Sequence, residues 1–257
     1  MTAPHDPSSQ GALPRTDRVR HPARVLLRSP LRPLARALMR RRFAVRVHGA
    51  EHVPARGPVV FACNHVGALD GPLLAAFAPR EVHTLTKHEM FRGRLGTFLR
   101  ASGQIPLDRF HSDPAAVKAT LRVLRDGGTV GVFPEGRRGD GELGRFHRGT
   151  AYFALVAGAP VIPVAMLGTR EPGGHMESLP RPGGAVHLVF GAPFRCEPRR
   201  WPRTKEQVGY LSMLIREHML VHLDLARALT GQELPGPLPA DDVEPDPATG
   251  VTEQGAT

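Results

Sequence analysis

Of the thirteen histidines in the chain, only His65 is followed five residues later by an aspartate, Asp70. An imidazole can take a proton from a hydroxyl group near neutral pH if a carboxylate fixes its tautomer and stabilises the imidazolium that forms. Asp70 can fold back across a turn to supply that carboxylate, as in a Ser-His-Asp arrangement. The pair therefore predicts general-base chemistry on a hydroxyl. The spacing alone leaves open a second interpretation, in which Asp70 caps a helix that begins near Pro72.

A second group of polar residues follows seventy residues after the histidine. The glycine-containing segment 134–139 offers the carboxylate of Glu135 and the adjacent guanidinium groups of Arg137 and Arg138. Backbone N–H groups in such a turn, together with arginine, form a phosphate-binding site because arginine makes bidentate, charge-assisted hydrogen bonds to phosphate oxygens. A short apolar run further upstream also ends in an arginine, Arg109. The alternative for this turn is a solvated, charged hairpin.

Each of these polar groups follows an apolar run of strand length. Val59–Cys63 precedes His65, and Thr129–Phe133 precedes Glu135. The ends of parallel strands are where ligands and catalytic groups usually lie. The predicted strands are Phe43–Val47, Val59–Cys63, Val82–Thr86, Gln104–Leu107, Thr129–Phe133, Val161–Met166 and Ala185–Phe190, and the predicted helices are Pro72–Phe77, Arg94–Ala101, Pro114–Arg125, Thr150–Ala157 and Lys205–Leu229. Strands separated by helices predict a single α/β domain with a mostly parallel sheet.

The charge of the chain is unevenly distributed. The 257 residues carry a formal net charge of +10. Residues 1–48 contain eleven arginines and two aspartates, a net charge of +9, whereas residues 232–257 contain six acidic and no basic residues. Both ends are rich in proline and lack periodicity, so we expect disorder in 1–28 and in 232–257 around a folded domain at 43–231. A basic chain points to an anionic partner: nucleic acid, an acidic membrane surface or a phosphorylated substrate.

Residues 29–42 show the periodicity of a basic amphipathic helix. Its apolar positions are Leu31, Leu34, Ala35, Leu38 and Met39, and its basic positions on the opposite side are Arg32, Arg36 and Arg40. Such a helix can lie in the headgroup region of an anionic membrane with its guanidinium groups on lipid phosphates. The alternative is a helix that packs on its own domain.

Nucleic acid is the rival anionic partner, and a non-enzymatic binding protein is the rival class of function. Aromatic residues make up only 5% of the chain, with one Trp and two Tyr, so surfaces for base stacking are scarce. The apolar stripe of 29–42 suits a bilayer and has no use on DNA. We therefore expect a membrane surface as the partner and no nucleic acid.

Two further features bear on the cellular compartment. The chain has only two cysteines, Cys63 and Cys196, which fits a reducing cytosol, and its first residues lack the pattern of a secretory signal. Residues 149–169 contain no charged side chain, but Gly158, Pro160 and Pro163 interrupt them. They therefore predict a buried helix and a buried strand rather than a membrane span. We expect a peripheral protein on the cytoplasmic face of the membrane.

In this order and spacing, the polar groups resemble the glycerolipid acyltransferase family, which includes the bacterial 1-acylglycerol-3-phosphate acyltransferases. The similar positions are Asn64-His65 with Asp70, Lys87 and Glu89, Gly103 to Arg109, Phe133-Pro134-Glu135-Gly136 and Ile162-Pro163-Val164. Together they cover most of the predicted domain.

The resemblance implies a half-barrel-like α/β fold and transfer of a fatty acyl group from acyl-CoA or acyl carrier protein to the free hydroxyl of lysophosphatidate. It implies that His65 is the general base, that Asp70 orients it, and that the hydroxyl attacks the thioester directly without a metal or other cofactor. The residues implied to bind the substrate are Asn64, Arg109, Glu135, Gly136, Arg137 and Arg138.

The chain departs from the family at two places. Gly67 stands where the family usually has Ser or Thr, and Arg137-Arg138-Gly139 replaces Thr-Arg-Ser, so that Arg137 is an additional charge. Both changes leave the predicted His-Asp pair intact and bear on the identity of the acceptor. Another lysophospholipid and glycerol 3-phosphate therefore stay open as acceptors.

The sequence also offers residues for two other chemistries. Cys63 could attack a thioester covalently, although a cysteine in an apolar strand packs as a small apolar residue more often. His218 and His222 stand four residues apart on a predicted helix and could clasp a metal, although no His-Glu-x-x-His order accompanies them.

Overall fold

The computed structural model of the chain describes residues 19–23, 31–199 and 202–242. Most of the predicted disordered segments, 1–28 and 232–257, lies outside these residues. The helices are α1 (Leu31–Arg42), α2 (Asp70–Phe77), α3 (Gly93–Ala101), α4 (Pro114–Arg125), α5 (Gly149–Ala157) and α6 (Lys205–Thr230). The strands are β1 (Ala44–His48), β2 (Val59–Cys63), β3 (Val82–Lys87), β4 (Ile105–Leu107), β5 (Thr129–Val132), β6 (Val161–Leu167) and β7 (Ala185–Phe190).

The seven strands form one sheet in the order β1-β7-β6-β2-β5-β3-β4. All neighbouring strands are parallel except β6 and β7, which pair antiparallel. The strands β2 and β5, whose ends carry the predicted site, are neighbours near the middle of the sheet. The prediction of a single α/β domain with a mostly parallel sheet is confirmed.

The central strand β2 is buried on both faces because helices cover both sides of the sheet. Val60 and Ala62 face a core that contains residues of α4, α5 and α6, and Phe61 faces a second core formed with α2. Side chains alternate between the faces of a strand, so a strand between two cores has to be apolar throughout. All five residues of β2 are fully buried.

The ends of the longer helices follow from local sequence. The Asp113 side chain accepts the Ala116 N–H at the start of α4, with Pro114 in the first turn. Thr204 and Gln207 form a reciprocal capping box at the start of α6. Both helix starts agree with the sequence patterns, because these side chains satisfy N–H groups that lack a partner in the helix.

The helix α1 binds the domain through its basic side. Arg32 donates to the carbonyl of Ala75 at 3.0 Å, and Arg36 donates to that of Ala76 at 2.6 Å. The last carbonyls of a helix lack partners within it and carry partial negative charge, so the end of α2 attracts guanidinium groups. The expectation that these arginines are available to lipid phosphates is therefore wrong for Arg32 and Arg36.

The apolar side of α1 is partly exposed. Leu31, Leu34 and Leu38 are 42%, 54% and 60% exposed, whereas Ala35 and Met39 pack against the core beneath. No helix among the described residues is both long and apolar enough to cross a bilayer. The uncharged stretch 149–169 forms the buried helix and strand that were predicted.

Candidate active site

The histidine lies in the turn that connects β2 to α2. His65 Nδ1 is 2.7 Å from Asp70 Oδ2, which also accepts the N–H groups of Val66 at 2.8 Å and Gly67 at 2.9 Å. Asp70 is fully buried. Its Oδ2 binds the preceding turn and its Oδ1 accepts no hydrogen bond from α2, so the interpretation of Asp70 as a helix cap is wrong.

The pairing leaves the second ring nitrogen of the histidine, Nε2, for chemistry. The His65 side chain is 21% exposed, lines a cavity, and stacks on Phe133 with ring centroids 4.2 Å apart. When Nδ1 donates a proton to Asp70, Nε2 is the acceptor of the neutral imidazole. The arrangement can therefore take a proton from a hydroxyl in the cavity.

The segment after β5 holds the histidine turn in place. Glu135 Oε1 accepts the His65 N–H at 2.7 Å, and the Gly139 N–H donates to the His65 carbonyl at 2.9 Å. Burial raises the pKa of the Glu135 carboxyl well above its usual value, although the hydrogen bond from His65 opposes this. Gly136 has φ of 72°, a conformation that favours glycine, and it turns the chain back toward the cavity.

Two residues predicted to bind substrate are turned away from the cavity. Glu135 is 5% exposed and its carboxylate binds the backbone of His65. Asn64 is 1% exposed, and its amide binds both the N–H and the carbonyl of Met166 on β6, at 2.7 and 3.1 Å. The prediction for these two residues needs correction, since their polar groups position the histidine turn instead of facing a ligand.

The cavity has a volume of about 450 Å³ and a mixed lining. Its polar part contains His65, Lys87, Arg109, Gly136, Arg137, Arg138 and Glu177. The apolar part includes Ala35, Met39, Leu85, Met90, Leu95, Phe98, Leu99, Leu107, Val132 and Phe133. A site with an apolar wall and a few clustered charges suits a molecule with a hydrocarbon chain and an anionic headgroup.

The arginines are held by carbonyl and carboxylate groups around the turn. Arg109 donates to the Gly136 carbonyl at 3.0 Å and lies 4.0 Å from a Glu89 oxygen. Arg138, which is 6% exposed, donates to the Met176 carbonyl at 3.1 Å and pairs with Glu177 at 2.8 Å. The structure thus places Arg109, Arg137 and Arg138 around one cavity with His65.

The sequence analysis did not identify Arg170, which connects the segments of the site through hydrogen bonds. This residue is 2% exposed and follows β6. Its guanidinium group donates to the carbonyls of Val66, Gly139, Gly174 and Gly236 at 2.6 to 2.9 Å. Val66 belongs to the histidine turn, and Gly139 belongs to the arginine-bearing turn, residues 134–139 after β5. Arg170 therefore fixes the two turns relative to each other.

The segment 231–242 returns from α6 to the same region. Gly236 is one of the acceptors of Arg170, Asp242 accepts the Met176 N–H, and Leu234 packs against the sheet. These contacts show that the first eleven residues of the predicted disordered tail, 232–242, pack on the domain. The remainder of that tail lies outside the described residues.

The two alternative chemistries have no support in the geometry. Cys63 is fully buried in β2, and burial raises the pKa of its thiol well above the usual value, which disfavours the nucleophilic thiolate. His218 and His222 each direct Nε2 at a backbone carbonyl, those of Ala192 and Val189, both at 2.8 Å. The imidazoles thereby join α6 to the sheet.

Comparison with known proteins identifies the family. The chain is 30% identical over 180 residues to the 1-acyl-sn-glycerol-3-phosphate acyltransferase of Bacillus subtilis, an alignment that covers 69% of this chain and 87% of that protein. A family model described as Acyltransferase matches residues 44–167. The chain belongs to the acyltransferase family. The predicted resemblance and the predicted class of enzyme, an O-acyltransferase, are thereby confirmed.

Other relatives of this acyltransferase align over shorter regions. The human 1-acyl-sn-glycerol-3-phosphate acyltransferase beta is 34% identical over 112 residues, which are 42% of this chain and 40% of that protein. The Borreliella burgdorferi enzyme with the same activity in its name is 31% identical, over 49% of this chain and 52% of that protein. The chain spans about half or less of the length of these two relatives.

The acyltransferase fold also matches a solved structure. The crystal structure of the 1-acyl-sn-glycerophosphate (LPA) acyltransferase PlsC from Thermotoga maritima superimposes with a TM-score of 0.55 at 23% identity, covering 72% of both chains. At this identity the match concerns the fold. The roles of His65, Asp70 and the arginines stay predictions, which the geometry above supports.

Proposed function

We propose that this acyltransferase transfers a fatty acyl group from acyl-CoA or acyl carrier protein to the free secondary hydroxyl of lysophosphatidate. The observation that carries the proposal is the 2.7 Å contact between His65 and the buried Asp70, at a cavity that combines basic residues with an apolar wall. The Bacillus subtilis relative is named for the same reaction. Acylation of another lysophospholipid or of glycerol 3-phosphate by the same mechanism is the alternative.

The reaction requires one base and a thioester that is already activated. His65 Nε2 takes the proton of the acceptor hydroxyl while the hydroxyl oxygen attacks the thioester carbonyl carbon. Asp70 stabilises the imidazolium that forms. When the tetrahedral intermediate collapses, the carbon–sulfur bond breaks and the imidazolium returns the proton to the departing thiolate. No acyl-enzyme forms, and no cofactor takes part beyond the acyl donor. Holding both reactants in one cavity supplies much of the rate acceleration.

The lining of the cavity supports an acceptor that has both a phosphate and a chain. Lys87, Arg109, Arg137 and Arg138 all contribute to it, and guanidinium groups bind phosphate through charge-assisted hydrogen bonds. The apolar lining from α1, α2 and α3 suits hydrocarbon chains. Glycerol 3-phosphate brings no chain of its own to this apolar lining, whereas lysophosphatidate has a chain that can pack there beside that of the acyl donor, so lysophosphatidate is the better fit.

We further propose that the enzyme acts at an anionic membrane surface as a peripheral protein on the cytoplasmic face. Leu31 of α1 and Leu95 and Phe98 of α3 are 42%, 49% and 54% exposed and also line the cavity, so they lie at its mouth. Leu34 and Leu38 extend this apolar surface along α1. A lysolipid could then enter the cavity from the bilayer without crossing water.

The test is an acyl-transfer assay of the purified full chain with labelled acyl-CoA or acyl carrier protein and a panel of lysolipids, with the products identified by mass spectrometry. We expect phosphatidate from lysophosphatidate, loss of at least about 10³-fold in kcat for His65→Ala, and a comparable loss for Asp70→Asn. Cys63→Ala, two residues away in the sequence, is the matched control and should keep most of the activity. An active His65→Ala or an inactive but folded Cys63→Ala would contradict the mechanism.

A co-sedimentation experiment separates the proposal from the rival class of function. Full-length protein should sediment with vesicles that contain anionic lipid and should leave duplex DNA in the supernatant at physiological salt. Strong DNA binding without any dependence on lipid would favour a nucleic-acid-binding protein.

A further inference from the structure

Arg138 is bound on two sides by one short segment of the chain. Its Nη1 donates to the Met176 carbonyl at 3.1 Å, and its Nη2 is 2.8 Å from Glu177 Oε1. Both Arg138 and Glu177 line the cavity. A carboxylate therefore already occupies one edge of the guanidinium group on which the proposed function places the acceptor's phosphate.

The segment that carries Glu177 is anchored by contacts outside the cavity. Arg170 Nη1 donates to the Gly174 carbonyl at 2.9 Å, and the Met176 N–H donates to Asp242. The backbone that leads up to the glutamate is thus fixed relative to the arginine-bearing turn. The side chain of Glu177 itself is 71% exposed, so it can rotate into solvent without moving its backbone.

A phosphate and a carboxylate compete for the same donors. Both accept paired hydrogen bonds from a guanidinium group, but a phosphomonoester carries more charge and more acceptor oxygens than a carboxylate. Arg109 and Arg137 line the same cavity and add to the attraction for the more highly charged anion. An exposed carboxylate gives a weak ion pair, so a phosphate can displace it.

From these contacts we propose that Glu177 is an internal competitor for the acceptor's phosphate on Arg138 and thereby determines acceptor affinity. This inference rests on the proposed function, since it assigns the same guanidinium group to the acceptor. In the free enzyme the glutamate neutralises Arg138. On binding, the phosphate takes its place and the Glu177 side chain turns to solvent. The reaction itself stays as described, because Glu177 acts only on binding of the acceptor.

The experiment measures binding of glycerol 3-phosphate, a soluble headgroup, to the full chain by isothermal titration calorimetry in the absence of any acyl donor. Glu177→Gln removes the competing charge and should tighten binding by about two- to five-fold relative to wild type, the range expected for loss of a weak ion pair. Arg138→Gln should weaken it. The KM for lysophosphatidate should fall with Glu177→Gln by a similar factor.

Glu171→Gln is the matched control. It removes the same charge from the same loop, but Glu171 faces Arg181 at 4.0 Å and is not part of the cavity lining. Binding by this variant should equal that of wild type. A thermal melt of each variant verifies that the fold is retained.

The outcomes distinguish the inference from the proposed function. If Arg138→Gln weakens binding while Glu177→Gln leaves it at the wild-type value, the phosphate site stands and the competition is refuted. If Glu171→Gln tightens binding as much as Glu177→Gln does, the effect is one of general charge and the inference is again refuted. If no variant and no wild-type protein binds glycerol 3-phosphate, both the inference and the proposed phosphate site fail.

Discussion

Asn64, Asp70 and Glu135 are at most 5% exposed, and a buried polar side chain costs free energy unless its hydrogen bonds are made. Each of them binds backbone groups next to His65 or on the neighbouring strand β6. These hydrogen bonds hold the histidine turn in place, and proton transfer depends on such positioning. These three residues around His65 therefore act mainly by positioning its turn.

Glu135 allows a test of this role through pH. Burial raises the pKa of its carboxyl in the folded protein above that in the unfolded chain. Between these two values the folded protein binds the extra proton, so the free energy of unfolding falls as pH rises through this window. Glutamine keeps the oxygen that accepts the His65 N–H and does not titrate. We expect Glu135→Gln to melt close to wild type near pH 5 and at a higher temperature than wild type at pH 8.

The measurement is the difference in melting temperature between variant and wild type across this pH range. Titration of groups that do not interact with Glu135 cancels in that difference. Glu171→Gln removes a carboxylate from a half-exposed position and separates the effect of burial from the loss of a charge. A difference for Glu135→Gln that stays constant from pH 5 to pH 8 would show that this carboxyl does not titrate differently in the folded protein.

For individual residues, the sequence predicts which side chains lie close together. It predicts their hydrogen-bond partners less well. The five-residue spacing of His65 and Asp70 within one turn restricts their separation, so their contact could be predicted locally. The orientation of Glu135 could not, because its partner is a backbone N–H seventy residues away. Every residue has a backbone N–H, so the sequence does not mark which one a carboxylate will bind. A glutamate close to two arginines predicts a contact with a ligand as readily as a contact with the backbone.

At the scale of elements, the turn between β2 and α2 packs closely against the segment that follows β6. A Cβ atom added at Gly67 would lie 2.7 Å from the carbonyl oxygen of Thr169, closer than nonbonded atoms approach. This contact disfavours any side chain at position 67, including the Ser or Thr that the family resemblance leads one to expect there. The two backbones lie too close for a side chain between them.

We therefore expect Gly67→Ser to destabilise the protein by about 1–3 kcal/mol, the cost of overpacking. The measurement is the free energy of unfolding in urea. Gly71→Ser is the control in the next element, since a Cβ atom at Gly71 meets nothing within 4 Å. Equal stabilities for the two variants would mean that the turn relaxes easily and that the close approach has no energetic weight.

The elements themselves could be predicted from the sequence because their signals are local. The fully apolar run of β2 and the capping box of α6 both agree with the structure. The antiparallel direction of β7 and the return of 231–242 could not be predicted, because both depend on contacts between distant segments. The role of Arg170 could not be predicted either. Because 31 of the 34 basic residues are arginine, the residue type does not single it out, and its four carbonyl partners lie in segments that are distant from one another in the sequence.

At the scale of the whole molecule, the sheet separates two surfaces with exposed apolar residues. Leu34 and Leu38 belong to α1, which contacts α2 and β1, and the cavity mouth lies beside it. Val221 and Leu225, which are 61% and 64% exposed, belong to α6 on the opposite face of the sheet. Both pairs expose similar apolar area, but only the first adjoins the cavity. Membrane docking through α1 would place the cavity mouth at the lipid.

Vesicle binding by variants of the two surfaces distinguishes which one docks to the membrane. The double variant Leu34→Ser/Leu38→Ser should reduce co-sedimentation with anionic vesicles by about ten-fold or more. Each of its two substitutions removes apolar area that would enter the headgroup region. It should leave the melting temperature nearly unchanged, since both side chains are exposed. Val221→Ser with Leu225→Ser removes similar side chains from α6 and should leave vesicle binding intact. If the α6 variant loses binding and the α1 variant keeps it, the membrane lies on the other face, and the cavity cannot receive its acceptor from the bilayer through the opening beside α1.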